Sequence, residues 1–126
     1  MADKDKNDNV DNKKMQKEQM LEKKAVKMLI EEYGYSKSQI KIGYRISKIQ
    51  IDDVPRMLDV VVFAKEDVKQ KTPYIVIETK TSLLLPLNEY QLEEIINATN
   101  ASFGMLYDGD KKLCYAKLPT RQLETL

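Results

Sequence analysis

The chain has 126 residues, of which 42% are hydrophobic and 33% charged, and its formal net charge at pH 7 is +1. It contains no histidine and one cysteine, which excludes histidine-based acid–base catalysis, serine–histidine and cysteine–histidine nucleophiles, most zinc sites and an internal disulfide. No apolar run approaches the roughly 20 residues of a membrane span, and the glycine motifs of phosphate loops and dinucleotide sites are missing, so a cytoplasmic domain without a nucleotide is expected.

The start of the chain is polar and mixed in charge. Residues 1–14 alternate lysine with aspartate and asparagine and hold a single valine, so they cannot bury enough apolar surface to become ordered. We therefore predict a disordered charged tail over residues 1–15 and one folded domain over residues 16–126. The domain begins with an amphipathic helix over residues 16–33, which Gly34 ends.

A strand with one solvated face is predicted over residues 39–51. Apolar side chains alternate with polar ones, and the pattern places four of them on one face: Ile40, Ile42, Tyr44 and Ile46. A phase shift at Ser47 and Lys48 indicates a β-bulge. The strand is expected to break at three residues that follow it: Asp52, Asp53 and Pro55.

The next two strands form the centre of the domain. Residues 57–65 are rich in β-branched side chains, and residues 73–80, PYIVIETK, run from apolar residues into charge. Because alternate residues of a strand share a face, Glu78 and Lys80 point into the same space. The loop between the strands is short enough for a hairpin. Antiparallel pairing would place Asp59 beside Glu78 or Lys80.

The last third of the chain predicts a helix over residues 87–98 and strands over residues 101–107 and 113–118. The two strands are joined by a turn at Asp108 and Gly109. A strand followed by a crossover helix and another strand implies a parallel pair beside the antiparallel hairpin. The prediction is therefore an α/β (α+β) domain in which helices flank a mixed central sheet.

Four segments carry a resemblance to a known group of enzymes: EEYGYSKSQI, LDVVVF, YIVIETK and YQLEEIINATNASFGMLYDG. Over about residues 18–110 they resemble the PD-(D/E)XK nuclease superfamily, and in particular the N-terminal nuclease domain of type I restriction enzyme R subunits. Leu58 stands where the superfamily often has proline. The resemblance implies a restriction-endonuclease-like α-β-β-β-α-β core.

The resemblance also implies a metal-dependent active site. Asp59 and Glu78 would be carboxylate ligands of Mg²⁺, for which Mn²⁺ would substitute, and the backbone carbonyl of Thr79 would be a third ligand. Lys80 would orient or deprotonate the attacking water. Two further roles fall on helices. The acid of the first helix, Glu22 or one turn earlier Glu18, would hold a second metal ion or a water, and Gln91 would brace the site from the crossover helix or contact the phosphate.

Three functions remain open for such a domain. It is a Mg²⁺-dependent DNA endonuclease, or a domain of the same fold that binds DNA or a partner subunit without cleaving, or an adaptor whose carboxylates only stabilise the fold. Glu-x-Lys triplets are common in so charged a chain, and Glu78 with Lys80 alone reads as a surface ion pair. The expected partners are DNA, other restriction–modification subunits or a second copy of the chain. DNA would be held by a local patch of Lys41, Arg45 and Lys48.

Overall fold

The computed structural model describes the backbone of residues 2–51, 54–81, 83 and 85–126, and the side chains of residues 16–46, 57–81, 83 and 85–126. Within these ranges the chain forms the helices α1 (Ala2–Glu31) and α2 (Pro86–Thr99), with a 3₁₀ turn at Lys37–Gln39. The strands are β1 (Ile40–Ile51), β2 (Val54–Phe63), β3 (Pro73–Thr79), β4 (Phe103–Tyr107), β5 (Lys112–Lys117) and β6 (Leu123–Thr125). None of the helices in the described part is long and apolar enough to cross a membrane.

The strands form one sheet in the order β1-β2-β3-β4-β5-β6. β3 and β4 pair in parallel because α2 carries the chain from the end of β3 back to the start of β4, and the other neighbours pair antiparallel. The predicted mixed sheet with flanking helices is therefore confirmed.

The two helices cover opposite faces of the sheet because side chains alternate along the central strands. One buried cluster joins α2 to one face of the sheet and includes Val61, Phe63, Val76, Leu92, Ile95, Ile96 and Leu106. The other joins α1 to the opposite face and includes Ala25, Met28, Leu29, Val60, Val62, Ile77 and Met105. The contact with α2 is closest at Gly104, where an added Cβ would lie 2.5 Å from Ile96 Cδ1.

The long hairpin of β1 and β2 corrects one sequence prediction. Pro55 was expected to break the chain, but β2 begins at Val54 and Pro55 lies opposite Gln50. Proline is tolerated this close to the start of a strand, where a missing N–H donor costs little. Residues 52 and 53, also expected to break the strand, lie outside the described residues. The pairing register shifts between Ile46 and Gln50, which confirms the bulge predicted at Ser47 and Lys48.

A second correction concerns the faces of β1. Ile40 packs with the α1 cluster, whereas Tyr44 and Ile46 pack with the α2 cluster, so these residues do not share one face as predicted. The strand changes face at Gly43, which has a φ of +72°. Glycine adopts this left-handed conformation without the steric cost that a Cβ would bring. Ile42, one residue earlier, is 51% exposed.

The chain ends differ from prediction in extent. α1 begins at Ala2 and ends at Glu31, whereas the predicted helix runs over residues 16–33. The side chains of residues 1–15 lie outside the described residues, so the disordered charged tail remains a prediction, as does its boundary with a domain over residues 16–126. β6 was not predicted because its sequence between Gln122 and Leu126 is too short to show alternation.

Candidate functional site

The candidate site lies where β2 and β3 stop pairing through their backbones. The ladder runs to the pair of Val60 and Ile77. Beyond it the backbone N–H of Asp59 donates a 3.1 Å hydrogen bond to Glu78 Oε2, and the backbone N–H of Thr79 donates a 2.9 Å bond to Asp59 Oδ2. Two carboxylates thus replace two carbonyl acceptors and lie side by side at the open end of the hairpin.

This exchange explains how acidic side chains are tolerated at the edge of a core. Glu78 is 3% exposed and Asp59 is half-buried, and burying a carboxylate is costly unless donors compensate it. Asp59 Oδ2 also accepts a 3.1 Å bond from the Thr79 hydroxyl. Charge-assisted bonds of this kind are stronger than those between neutral groups. The sequence therefore correctly places Asp59 beside Glu78, and it misses the hydroxyl donor.

Lys80 connects the site to its two neighbouring elements. Its backbone N–H donates a 2.9 Å hydrogen bond to the carbonyl of Tyr107, which prolongs the parallel pairing of β3 and β4 by one residue. Its half-buried side chain reaches α2, where Nζ donates to Gln91 Oε1 over 3.4 Å. Gln91 on the crossover helix thus contacts Lys80, while its predicted role in bracing the site or contacting the phosphate stays a prediction.

Glu22 is the acid of α1 whose pKa the charge of Asp59 affects. Burial raises the pKa of its carboxyl group above the ordinary 4.5, and the negative charges of Asp59 and Glu18 raise it further. Glu22 is half-buried, whereas Glu18 is exposed. Of the two predicted first-helix acids, Glu22 is thus the one that is partly buried and whose pKa the Asp59 charge raises.

The acids whose side chains the structure describes do not form a three-carboxylate cage. Among the side chains of residues 16–46, 57–81, 83 and 85–126, no group of three or more His, Cys, Asp or Glu residues is placed to hold a metal ion. Glu22 therefore does not complete a three-carboxylate metal site with Asp59 and Glu78. The oxygen ligands that this site can offer at short range are two carboxylates and nearby backbone carbonyls.

Gly43 lies beside the candidate site and was not predicted from the sequence to belong to it. Ile42 pairs with Val60 and Tyr44 with Leu58, so Gly43 lies across from Asp59. Leu58 packs with the α2 cluster and Val60 with the α1 cluster, although alternation would put both on one face. The paired strands therefore both change face beside Asp59. A glycine inside an alternating strand is the signal that could have indicated this irregularity.

The predicted DNA-binding patch is only partly described. Lys41 and Arg45 on β1 have exposed side chains, while the side chain of Lys48 lies outside the described residues. Lys41 Nζ lies 5.9 Å from the centre of the Phe63 ring, a distance at which the cation and the ring attract each other. DNA binding by this patch remains a prediction.

The family model described as the type I restriction enzyme R protein N terminus matches residues 17–126. The chain belongs to this family. The match confirms the resemblance to the N-terminal domain of the R subunits, and it covers every candidate site residue of this R-protein domain. No curated protein matches the chain.

Proposed function

We propose that this R-protein N-terminal domain is a Mg²⁺-dependent DNA endonuclease of the PD-(D/E)XK type, with Mn²⁺ as a substitute metal. The observation that carries the proposal is the juxtaposition of Asp59 and Glu78 at the open end of the β2–β3 hairpin, with Lys80 two residues further along. Membership of a restriction enzyme family supports a phosphodiester bond of DNA as the proposed substrate. The expected partners are DNA and other restriction–modification subunits or a second copy of the chain.

The residues present fit a hard divalent cation. Mg²⁺ takes oxygen ligands and commonly binds through one or two carboxylates with water completing its shell. Asp59 and Glu78 would hold it, with the Thr79 carbonyl as a further ligand. A carboxylate offers about four acceptor positions, so the two bonds that Asp59 receives from Thr79 do not exhaust it. When bound, the cation would supply charge neutralisation at the phosphate and lower the pKa of a water.

The chain's own groups would handle the water and the developing charge. Lys80 would orient the attacking water and donate to a non-bridging phosphate oxygen, which becomes more negative as water adds to phosphorus. Gln91 would hold the Lys80 ammonium in place through the bond seen at 3.4 Å. One P–O bond forms to the water oxygen, one breaks to the leaving sugar oxygen, and the water's protons end on these products or on solvent. Glu22 would bind a water next to Asp59.

A second candidate function is favoured by one specific observation. Both carboxylates already satisfy backbone donors, and the described acids form no group of three. A domain of the same fold that binds DNA or a partner subunit without cleaving would have the same arrangement. So would an adaptor in which the carboxylates only close the open end of the hairpin.

Plasmid nicking with a matched set of variants tests the proposal. The parent protein is incubated with supercoiled plasmid and Mg²⁺ or Mn²⁺, with EDTA as the control for metal dependence. Lys80→Ala should abolish nicking, whereas Lys69→Ala should not, because Lys69 lies exposed in the loop before β3 at the opposite end of that strand. Calorimetric titration with Mn²⁺ then separates the alternatives. Metal binding without nicking favours the non-cleaving domain, and absence of metal binding favours the adaptor.

A further inference from the structure

A groove beside the candidate site is lined by lysines that none of the proposed catalytic roles uses. It has a cavity volume of about 280 Å³ and lies between α1 and the exits of β3 and β4. We call it the α1 groove and define it by its six lining residues: Lys17, Met20, Leu21, Lys24, Thr81 and Asp108.

The walls of the groove and the groups of the proposed active site are neighbours in the sequence. Thr81 follows Lys80, and Leu21 precedes Glu22, so each wall of the groove is one residue away from a group of the proposed active site. The β4–β5 turn closes one end. At Gly109 an added Cβ would lie 2.9 Å from Leu21 Cδ2 and 3.9 Å from Lys24 Nζ, so the turn lies directly against α1 and its lysine.

The two lysines are placed to act together. Lys17 and Lys24 are seven residues apart on one helix, which returns them to the same face at about 10 Å along the axis. Both are exposed, and the apolar side chains of Met20 and Leu21 lie between them. Two ammonium groups on one wall present donors at two points along the length of the groove.

Among the described residues that line the groove, the one carboxylate is that of Asp108, and it is already engaged by its own turn. Asp108 Oδ1 accepts hydrogen bonds from the backbone N–H groups of Lys111 at 2.6 Å and Asp110 at 2.9 Å. These bonds, led by that of Lys111, lower the pKa of Asp108, and the nearby Lys111 ammonium lowers it further. The described part of the lining therefore carries two positive charges, and its one negative charge is bound to backbone donors.

We propose that the α1 groove binds backbone phosphates of the DNA strand that enters the site, through Lys17 and Lys24. This inference rests on the proposed function for its ligand, because a phosphodiester cut at Asp59 and Glu78 continues into further phosphates on either side. The chain has a formal net charge of +1, so its affinity for DNA must come from local groups such as these. The contacts are sequence-independent and set the register of the strand.

The salt dependence of DNA binding measures these contacts directly. Binding of a labelled duplex is followed by fluorescence anisotropy in EDTA, where no cleavage occurs, at a series of salt concentrations. Each phosphate contact that is lost reduces the slope of log K against log salt by about 0.9. Lys17→Gln and Lys24→Gln should each lower the slope by about this amount, and the double variant by about 1.8.

Two controls make the result specific. Lys69→Gln also removes one positive charge, but at the opposite end of β3, and should leave the slope unchanged. The double variant Lys17→Arg with Lys24→Arg keeps both charges and should keep the slope of the parent. An unchanged slope in the double glutamine variant, an equal loss in Lys69→Gln, or a parent that does not bind the duplex would overturn the proposal. The groove proposal and the proposed nuclease activity can fail separately. A reduced slope in the double glutamine variant, with a parent that does not nick plasmid in Mg²⁺ or Mn²⁺, supports the groove and contradicts the nuclease. Nicking by the parent, with an unchanged slope in the double variant, supports the nuclease and contradicts the groove.

Discussion

Replacing Asp59 with asparagine separates a metal site from a structural cluster. The asparagine amide oxygen still accepts the two bonds from Thr79, but these change from charge-assisted to neutral bonds and lose about 1 kcal/mol each. The substitution also removes a negative charge beside Glu78 and Glu22, which returns about 1 kcal/mol at partly buried positions. The free energy of unfolding without metal should therefore fall by only about 1 kcal/mol.

The response to metal should differ much more. A ligand at 100 times its Kd stabilises the protein that binds it by about 2.7 kcal/mol, which corresponds to a rise in Tm of about 10 °C in a domain of this size. Thermal unfolding with and without Mg²⁺ or Mn²⁺ should show this rise in the parent and none in Asp59→Asn. Plasmid nicking should disappear in the variant.

Two outcomes would refute this reasoning. A parent whose Tm ignores both metals would contradict a cation held by Asp59 and Glu78. A variant that unfolds several kcal/mol more easily without metal would mean that the Asp59 charge is needed by the fold itself, as expected when a buried charged partner is stranded. Asp67→Asn is a suitable control, since the Asp67 carboxylate also accepts backbone bonds, from Lys71 and Thr72, but lies in the loop before β3.

Three further predictions test the surroundings of the site. Because the pKa of Glu22 is raised in the folded protein, its ionisation costs stability as pH rises through that pKa. Glu22→Gln should therefore be more stable to urea than the parent at pH 7 and equally stable below pH 4. A less stable variant at pH 7 would contradict the raised pKa. Gln91→Ala should lower the nicking rate about tenfold, because loss of the bond that positions Lys80 would raise the activation free energy by about 1.4 kcal/mol. Glu94→Ala, on the exposed side of α2, is the control and should leave the rate unchanged. Equal nicking rates in the parent and Gln91→Ala would contradict a role for Gln91. Gly104→Ala should lower the free energy of unfolding by about 1–3 kcal/mol because its Cβ would lie 2.5 Å from Ile96 Cδ1, and an unchanged urea midpoint would mean that α2 shifts freely.

The central hairpin could be predicted because its determinants are local. Two runs of β-branched residues joined by a short polar loop leave antiparallel pairing as the simplest connection. The side-chain period of two then limits which residues meet. This places Asp59 with Glu78, and the parallel pairing of β3 with β4 follows from the length and period of the helical segment between them.

The remaining features depend on contacts that no single segment contains. The face change at Gly43 is a property of two paired strands, since the matching irregularity lies across the ladder at Asp59. The effect of the Asp59 charge on Glu22 depends on how α1 lies on the sheet. The start of β2 at Val54 depends on a partner at Ile51, which outweighs the proline that follows. Local preference is overridden in each case by pairing or packing.

The end of the β2–β3 ladder shows why such a site can form at this point in the fold. Where two strands part, their N–H groups lose carbonyl partners and need other acceptors. Carboxylates from Asp59 and Glu78 meet this need and are thereby held in fixed positions before any ligand arrives. A cation that binds oxygens already fixed by the backbone need not order them first, which lowers the cost of binding. The same backbone bonds that clamp the pair in the fold would therefore also preorganise it for a metal ion.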